Sequence, residues 1–364
     1  MGKDVLILGG GIAGLETALK LERKIDSKHS IKLIEPRDAL LFYPASHKIM
    51  EGDSADKITI NYSEKFENRN IKHLKDTATE IQTENQSVKT ENNGEFNYDY
   101  LAISLGAEAN YHGLEKKNTE TLRYQEDLVK IREMISSNEA ENITVVGGGP
   151  TGVEAAAALK EARKKDKEKD FTIRLFHSQG RLLPRQSPKL GNKAEKELKK
   201  ENVEIHLNTK IKGIEPHCVC TEDGKEYMTD EVIWAGGIQK HQLIEKTENL
   251  PQNSKGIKVN QHQQAEHFQN IYAVGDCASY QESKARALYA LFEAKTAAKN
   301  ITKQINSKSK LSTRNIPYDP IIIYLGEDTS AIQFKNLVFS GRLPNLMEKI
   351  GVEKRYMWIR KKLL

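Results

Sequence analysis

Two triads of glycine carry the most specific chemistry in this chain. Gly9, Gly11 and Gly14 form one G-x-G-x-x-G run, and Gly147, Gly149 and Gly152 form another 138 residues further on. Glycine permits a tight turn at the first position, close approach of the backbone to a ligand at the second and close helix packing at the third. N–H groups at the opening of a helix then face an anion, so each run reads as a cradle for a pyrophosphate. Two carboxylates stand at informative distances. Glu35 falls 21 residues beyond Gly14, where an acid accepts hydrogen bonds from ribose hydroxyls. Glu154 lies two residues beyond Gly152, in the first turn of a helix, where the helix dipole by itself also favours an acid.

The elements that must position these residues are legible around them. Each triad follows an apolar run, Val5-Leu6-Ile7-Leu8 and Ile143-Thr144-Val145-Val146, and opens a helical stretch, residues 15–23 and residues 153–159. That strand–turn–helix setting gives the motif its weight. A second strand at 31–34 delivers Glu35, whose carboxylate suits FAD and NAD equally. Beyond the second triad, a charged run at 160–170 mixes both signs and reads as a solvated helix end, not as a nucleic-acid surface. The next strand, 172–176, ends at His177 and Ser178, without the acid that selects NAD over NADP. Arg181 and Arg185 follow within reach of a 2′-phosphate. NADH is favoured slightly over NADPH because no arginine directly follows the strand. Two dinucleotide sites in one chain point to electrons passing between a nicotinamide and a flavin, which must meet for hydride transfer.

Composition narrows the setting. A chain of 364 residues accommodates two or three domains. No stretch approaches the length of about 20 apolar residues that spans a bilayer, and the first apolar run is too short for a signal peptide, so a cytosolic location is expected. Three cysteines, Cys218, Cys220 and Cys277, exclude a disulfide framework, and no His/Cys cluster has metal-ligand spacing. The net charge is +5, and residues 342–364 alone hold seven Lys or Arg against two Glu. A basic tail on a neutral body points to a local anionic partner.

Taken together, Gly9 to Glu35, Gly147 to Glu154, Ile233-Trp234-Ala235-Gly236-Gly237 and Ile271-Tyr272-Ala273-Val274-Gly275-Asp276 resemble the type II NADH:quinone oxidoreductases and the related ferroptosis-suppressor-like quinone reductases. The resemblance implies that Gly275 and Asp276 complete the FAD site begun at Gly9, with Asp276 on the ribityl chain, so that the FAD domain is discontinuous. It further implies flavin contacts from Pro44 and from the turn at Gly106, a nicotinamide contact near Gly236, and a place for Glu154 where flavin and nicotinamide meet. Two departures stand out. Ser104 and Leu105 replace the common Ala-Thr pair before Gly106, and the glutamine-rich quinone motif is absent from the stretch Ala287-Leu288-Tyr289-Ala290-Leu291-Phe292-Glu293. Quinone identity, and quinone itself as acceptor, stay open at this point. Redox-active cysteines of the disulfide reductases and of the sulfide:quinone oxidoreductases have no counterparts before residue 218. Cys218 and Cys220 read as strand packing and Cys277 as a small residue near the flavin.

The expected fold class is α/β: an FAD-binding domain at 1–109 and 251–306, an NAD(P)H-binding domain at 110–250, and a small α+β region at 307–364 facing a membrane. In the last region, after a linker at 307–315, strands at 321–324, 331–334 and 337–339 precede two helical stripes. Leu343, Leu346, Met347 and Ile350 form the first; Val352, Tyr356, Ile359 and Leu363 form the second, beside Trp358 and the basic residues Lys354, Arg355, Arg360, Lys361 and Lys362. Apolar stripe, interfacial aromatic and basic face describe a helix lying in an anionic membrane surface. A docked helix or a homodimer contact is the alternative. The expected activity is transfer of hydride from NADH to FAD and then of two electrons to a membrane quinone, at the cytoplasmic face. A protein acceptor and an apoptosis-inducing-factor-like, redox-controlled binder are the rivals.

Overall fold

A computed structural model describes residues 2–361 apart from 138, 166–170, 282–284 and 317–319, with side chains as far as residue 351. Two parallel sheets organise the molecule. In the first, the strand Asp4–Leu8 lies between Ser30–Ile34 and Tyr100–Ile103, with Lys72–Leu74 and Ile271–Ala273 on the outside. In the second, Asn142–Val146 lies between Thr172–Phe176 and Glu231–Trp234, with Val203–His206 beyond. Both central strands are largely apolar because both faces of each sheet are covered, one by helices and the other by an antiparallel meander. Ile7, Leu8, Ile143 and Val145 are wholly buried.

The two sheets repeat one plan. Glycine turn, helix, second strand, three-stranded antiparallel meander and returning strand follow in the same order in each. The meanders run through Ala78–Gln82, Ser87–Thr90 and Glu95–Asn97 in the first, and Ile211–Glu215, Cys218–Thr221 and Glu226–Met228 in the second. Because Ile271–Ala273 pairs with Tyr100–Ile103, the first sheet closes only after the chain has completed the second. The helix Ala287–Ile305 then packs along Ile12–Glu22, the helix opened by the first glycine turn.

In the second half, the helix Pro150–Lys165 places proline at its first turn, where the missing N–H costs nothing. Ala155, Ala156, Ala157 and Ala158 are completely buried, since alanine has high helix propensity and no bulk to hold the helix off its neighbours. The expected linker at 307–315 has no regular structure but is strapped down. Asn300 accepts from the Ser312 N–H at 2.7 Å and donates to its carbonyl at 2.9 Å.

The last region is an antiparallel sheet, Ile321–Tyr324, Ser330–Phe334 and Leu337–Gly341, capped by a helix. That helix runs unbroken from Arg342 to Lys361, so Gly351 does not separate two helices as the two stripes suggested. A mid-helix glycine costs about 1 kcal/mol relative to alanine, too little to end a helix that its neighbours hold in place. The second stripe and the basic residues from Lys354 onward lie outside the described side chains. The first stripe is turned outward: Leu343 is 69% exposed, and Leu346, Met347 and Ile350 are also exposed. Its polar side faces the body, with Asn345 and Glu348 buried. Asn345 accepts from Ser330 Oγ at 3.1 Å and donates to the Glu327 carbonyl.

Candidate functional site

The first glycine turn is fixed by collisions that any side chain would cause. Gly9 has φ of +89°, and a Cβ there would lie 2.6 Å from the Ser104 carbonyl oxygen. A Cβ on Gly14 would lie 1.9 Å from the Gly9 oxygen, so the helix meets its strand backbone to backbone. Gly11 differs, having nothing within 4 Å and facing open ground at the helix N-terminus. Ser104, which stands where an Ala-Thr pair was expected, ties the turn together by donating to the Leu8 and Gly9 carbonyls, each at 2.8 Å.

Glu35 sits beneath this turn, 2% exposed. Its carboxylate accepts from the Gly10 N–H at 2.7 Å and from the Arg37 side chain at 2.7 and 3.0 Å. Burial works to raise its pKa, but the Arg37 guanidinium and the Gly10 and Arg37 N–H groups together hold it below the usual carboxylate range. Tyr62 donates to the Gly10 carbonyl at 2.7 Å. Arg37 and Tyr62 were not singled out from sequence. Arg37 was within reach of such reasoning, being two residues past the acid.

On the same side of the molecule, Gly275 (φ +76°) comes so close to the first helix that a Cβ would lie 3.1 Å from the Ala13 Cβ. Its N–H donates to Glu293 at 2.8 Å, and the Glu293 carboxylate, almost fully buried, pairs with Arg314 at 3.1 Å. Asp276 meets the Arg123 guanidinium at 3.4 Å. Pro44 is half-buried in the short turn Tyr43–Ala45, and Gly106 (φ +71°) has no atom within 4 Å of its Cβ position. Cys277 is buried and donates to the Ile103 and Val274 carbonyls at 3.3 and 3.2 Å. Burial pushes its thiol up to about 12, which suits packing and not nucleophilic chemistry. All three cysteines are free thiols.

The second turn repeats the first. A Cβ on Gly147 (φ +121°) would lie 2.2 Å from the Ala235 carbonyl oxygen, one on Gly152 would lie 1.7 Å from the Gly147 oxygen, and Gly149 has nothing within 4 Å. Where Glu35 receives the Gly10 N–H, His177 receives the Gly148 N–H on Nδ1 at 3.1 Å. Arg181 does not wait for a phosphate. Its guanidinium is spent on the carbonyls of Leu183, Pro184 and Gln186. Arg185 is exposed. A Cβ on Gly236 would meet the Trp234 indole at 2.7 Å, and Trp234 stacks on Tyr111 with centroids 5.3 Å apart.

Glu154 faces the C-terminal sheet, its carboxylate accepting from the Tyr324 N–H at 3.3 Å. Burial, with the charge of Glu348 adding to it, pushes its pKa up to about 8 against the pull of that N–H, so it holds a proton at neutral pH. The Tyr324 ring stacks on His47 with centroids 4.4 Å apart, and its hydroxyl donates to Glu51. Burial holds His47 down to about 4. A cavity of about 350 Å³ opens between His47, Glu51, Lys165, Tyr324 and Glu348. No local pattern in the sequence marks this cluster, because its members come from segments far apart in the chain, Glu51 and Tyr324 being 273 residues apart.

Comparison with known proteins agrees with this construction. The model of the family described as "Pyridine nucleotide-disulphide oxidoreductase" matches residues 3–294. The chain is 28% identical to apoptosis-inducing factor homolog B of Dictyostelium discoideum, over 95% of this chain and 93% of the relative. It is 27% identical to a type II NADH:quinone oxidoreductase of Haemophilus influenzae, over 82% of this chain and 80% of the relative. The structure of NDH2 from Plasmodium falciparum in complex with NADH shares the fold, with a TM-score of 0.88, 18% identity and coverage of 100% of this chain and 96% of that one.

Proposed function

The chain belongs to the pyridine nucleotide-disulphide oxidoreductase family, and we propose that within it the protein is an FAD-dependent NAD(P)H:quinone oxidoreductase working at a membrane surface. One observation carries the reading: two glycine turns of the same construction, each with open ground before its middle glycine, stand in one molecule. The residues of the first turn fit FAD. Gly9, Gly11 and Gly14 supply the cradle, Glu35 the ribose-side acceptor, and Pro44, Gly106, Gly275 and Asp276 the walls nearer the flavin. Gly147, Gly149, Gly152, His177 and Gly236 fit NAD(P)H in the same manner. When bound, FAD supplies the two-electron carrier between nicotinamide and acceptor.

The chain's own groups then position and protonate. Reduction of a quinone by NADH consumes one proton beyond the hydride, and Glu154, protonated at neutral pH, is placed to hold it. Deprotonated Glu154 would be restored from the side of Glu51, Tyr324 and His47. The acceptor reaches this region from the C-terminal side, where Leu343, Leu346, Met347 and Ile350 expose an apolar stripe together with Phe334, Leu337 and Phe339. No described helix is long and apolar enough to cross a membrane, so the stripe is read as lying on an anionic surface, peripherally, at the cytoplasmic face. The similarity to apoptosis-inducing factor homologs supports the second reading, a flavoprotein whose redox state governs binding. Steady-state NADH consumption by the purified holoprotein separates the two. Turnover with a short-chain quinone supports the reductase, whereas flavin reduction without turnover supports the binder.

A further inference from the structure

The middle strand of the second meander, Cys218–Thr221, has two faces of opposite character. Val219 is wholly buried and packs with Val146, Phe176 and Trp234 of the sheet beneath. Its cross-strand partners Ile214 and Tyr227 face the same way and pack against that cluster. Side chains alternate along a strand, so Cys218 and Cys220 stand together on the outward face, each half-buried. The packing expected of the two cysteines thus falls to Val219. Met228 lies directly across from Cys218 on the next strand and is 65% exposed. Direct partners share a face with their Cβ atoms about 5 Å apart, so three sulfur side chains meet on one patch of sheet. On the other flank Cys220 is paired with Gly213, and its Sγ lies 3.8 Å from where a Cβ on that glycine would stand.

A disulfide does not suit this pair. Two residues apart on an extended strand, the Cα atoms stand about 6.6 Å from each other, against about 5.5–6 Å in a typical disulfide. Pairing on both edges, with Ile211–Glu215 and Glu226–Met228, keeps the strand from shortening. An ion between the sulfurs spans the wider gap. Partial burial raises the Cys218 pKa, and the Cys220 thiol and the charges of Glu226 and Glu215 add to the rise, so this thiol gives up its proton only to a metal that bonds sulfur strongly. Among the described residues no three His, Cys, Asp or Glu side chains converge on a metal position, which leaves zinc and hard ions without their donor set. Two thiols and a thioether are the donors that soft ions take. We propose that Cys218, Cys220 and Met228 form a site for a soft, thiophilic metal ion of low coordination number, the class to which Cu(I) belongs. On binding, each thiol releases one proton as its sulfur bonds the metal, and the thioether adds a lone pair without releasing any; no oxidation state changes. The carboxylates of Glu215 and Glu226, paired across from Cys218 and Cys220, favour a cation approaching this face.

Cu(I) itself is the probe, offered anaerobically to the purified holoprotein in ascorbate against a coloured Cu(I) chelator. The unaltered protein should withdraw a single ion from the chelator and develop the ultraviolet charge-transfer band of a copper thiolate. Cys218→Ser and Cys220→Ser should each lose both signals while keeping the parent's flavin absorbance and circular dichroism, since neither side chain is in the core. Met228→Leu, at an exposed position that the fold does not depend on, should hold the ion about tenfold more weakly. No withdrawal by the unaltered protein, or withdrawal that persists in Cys218→Ser, would overturn the proposal. Unchanged affinity in Met228→Leu would overturn it too, by reducing the site to a bare dithiol. None of these readouts depends on nicotinamide or quinone, so their failure leaves the reductase reading standing.

Discussion

At the scale of residues, the glycines of each triad divide into two kinds with opposite predicted phenotypes. A methyl group on Gly14 or Gly152 would press into backbone at 1.9 or 1.7 Å, so Gly14→Ala and Gly152→Ala should lower stability by about 3 kcal/mol, seen as a drop in melting temperature. A Cβ on Gly11 meets nothing within 4 Å and Gly11 has φ of −57°, so the melting temperature of Gly11→Val without flavin should match the parent's while bound flavin is lost. The reverse pattern would refute the cradle. His47 and Glu154 give separable pH trends. His47 titrates near 4 when folded against 6.5 when unfolded, so the unfolded chain binds more protons between these values and stability falls as pH drops through them. Glu154 titrates near 8 when folded against 4.5 when unfolded, so stability falls as pH rises across that interval. Denaturant midpoints across pH should show the acid-side loss absent from His47→Gln and the alkaline-side loss absent from Glu154→Gln. In the reductive reaction, Glu154→Gln should slow the quinone half by about 100-fold while leaving flavin reduction by NADH intact. Equal rates in both halves would remove Glu154 from proton delivery.

At the scale of elements, the C-terminal helix is the clearest departure from ordinary globular packing. A surface helix normally buries its apolar stripe, whereas here Asn345 and Glu348 face the body and Leu343, Leu346, Met347 and Ile350 face outward. Replacing those four by serine should leave the fold untouched, since none is buried, and weaken binding to anionic vesicles by at least about tenfold. Cosedimentation that survived the change would point the stripe elsewhere, to a second copy of the chain. What could be read from sequence follows from the same physics. Gly9, Gly14, Gly147 and Gly152 were legible because only glycine clears a backbone that close, and the strands around them because parallel strands buried on both faces are apolar throughout. Gly351 misled, because a glycine that breaks an isolated helix is tolerated in one held by Ser330 and Glu327. Arg181 misled too, because sequence shows a guanidinium but not the carbonyls of Leu183 and Gln186 that occupy it. His47, Glu51 and Tyr324 carry no local signature at all, and only the fold brings them together.

At the scale of the whole molecule, one architectural unit is used twice, with differences between the copies. The first copy closes through the Ile271–Ala273 strand, gaining Gly275 and Asp276 beside its glycine turn. The second has no such addition and ends its second strand on a neutral histidine. The family description includes disulphide chemistry, but the three cysteines of this chain are free, two on one meander strand and one buried at about 12. The proposed function therefore sends electrons to an external acceptor. The proposed route runs from a nicotinamide in the second site, through FAD in the first, to a quinone. Its most direct test is the visible flavin absorbance of the purified protein, followed anaerobically as NADH and then a short-chain quinone are added. Bleaching by NADH and prompt recovery with quinone is the predicted result; a protein with no flavin, or a flavin that NADH bleaches and quinone leaves bleached, would contradict it.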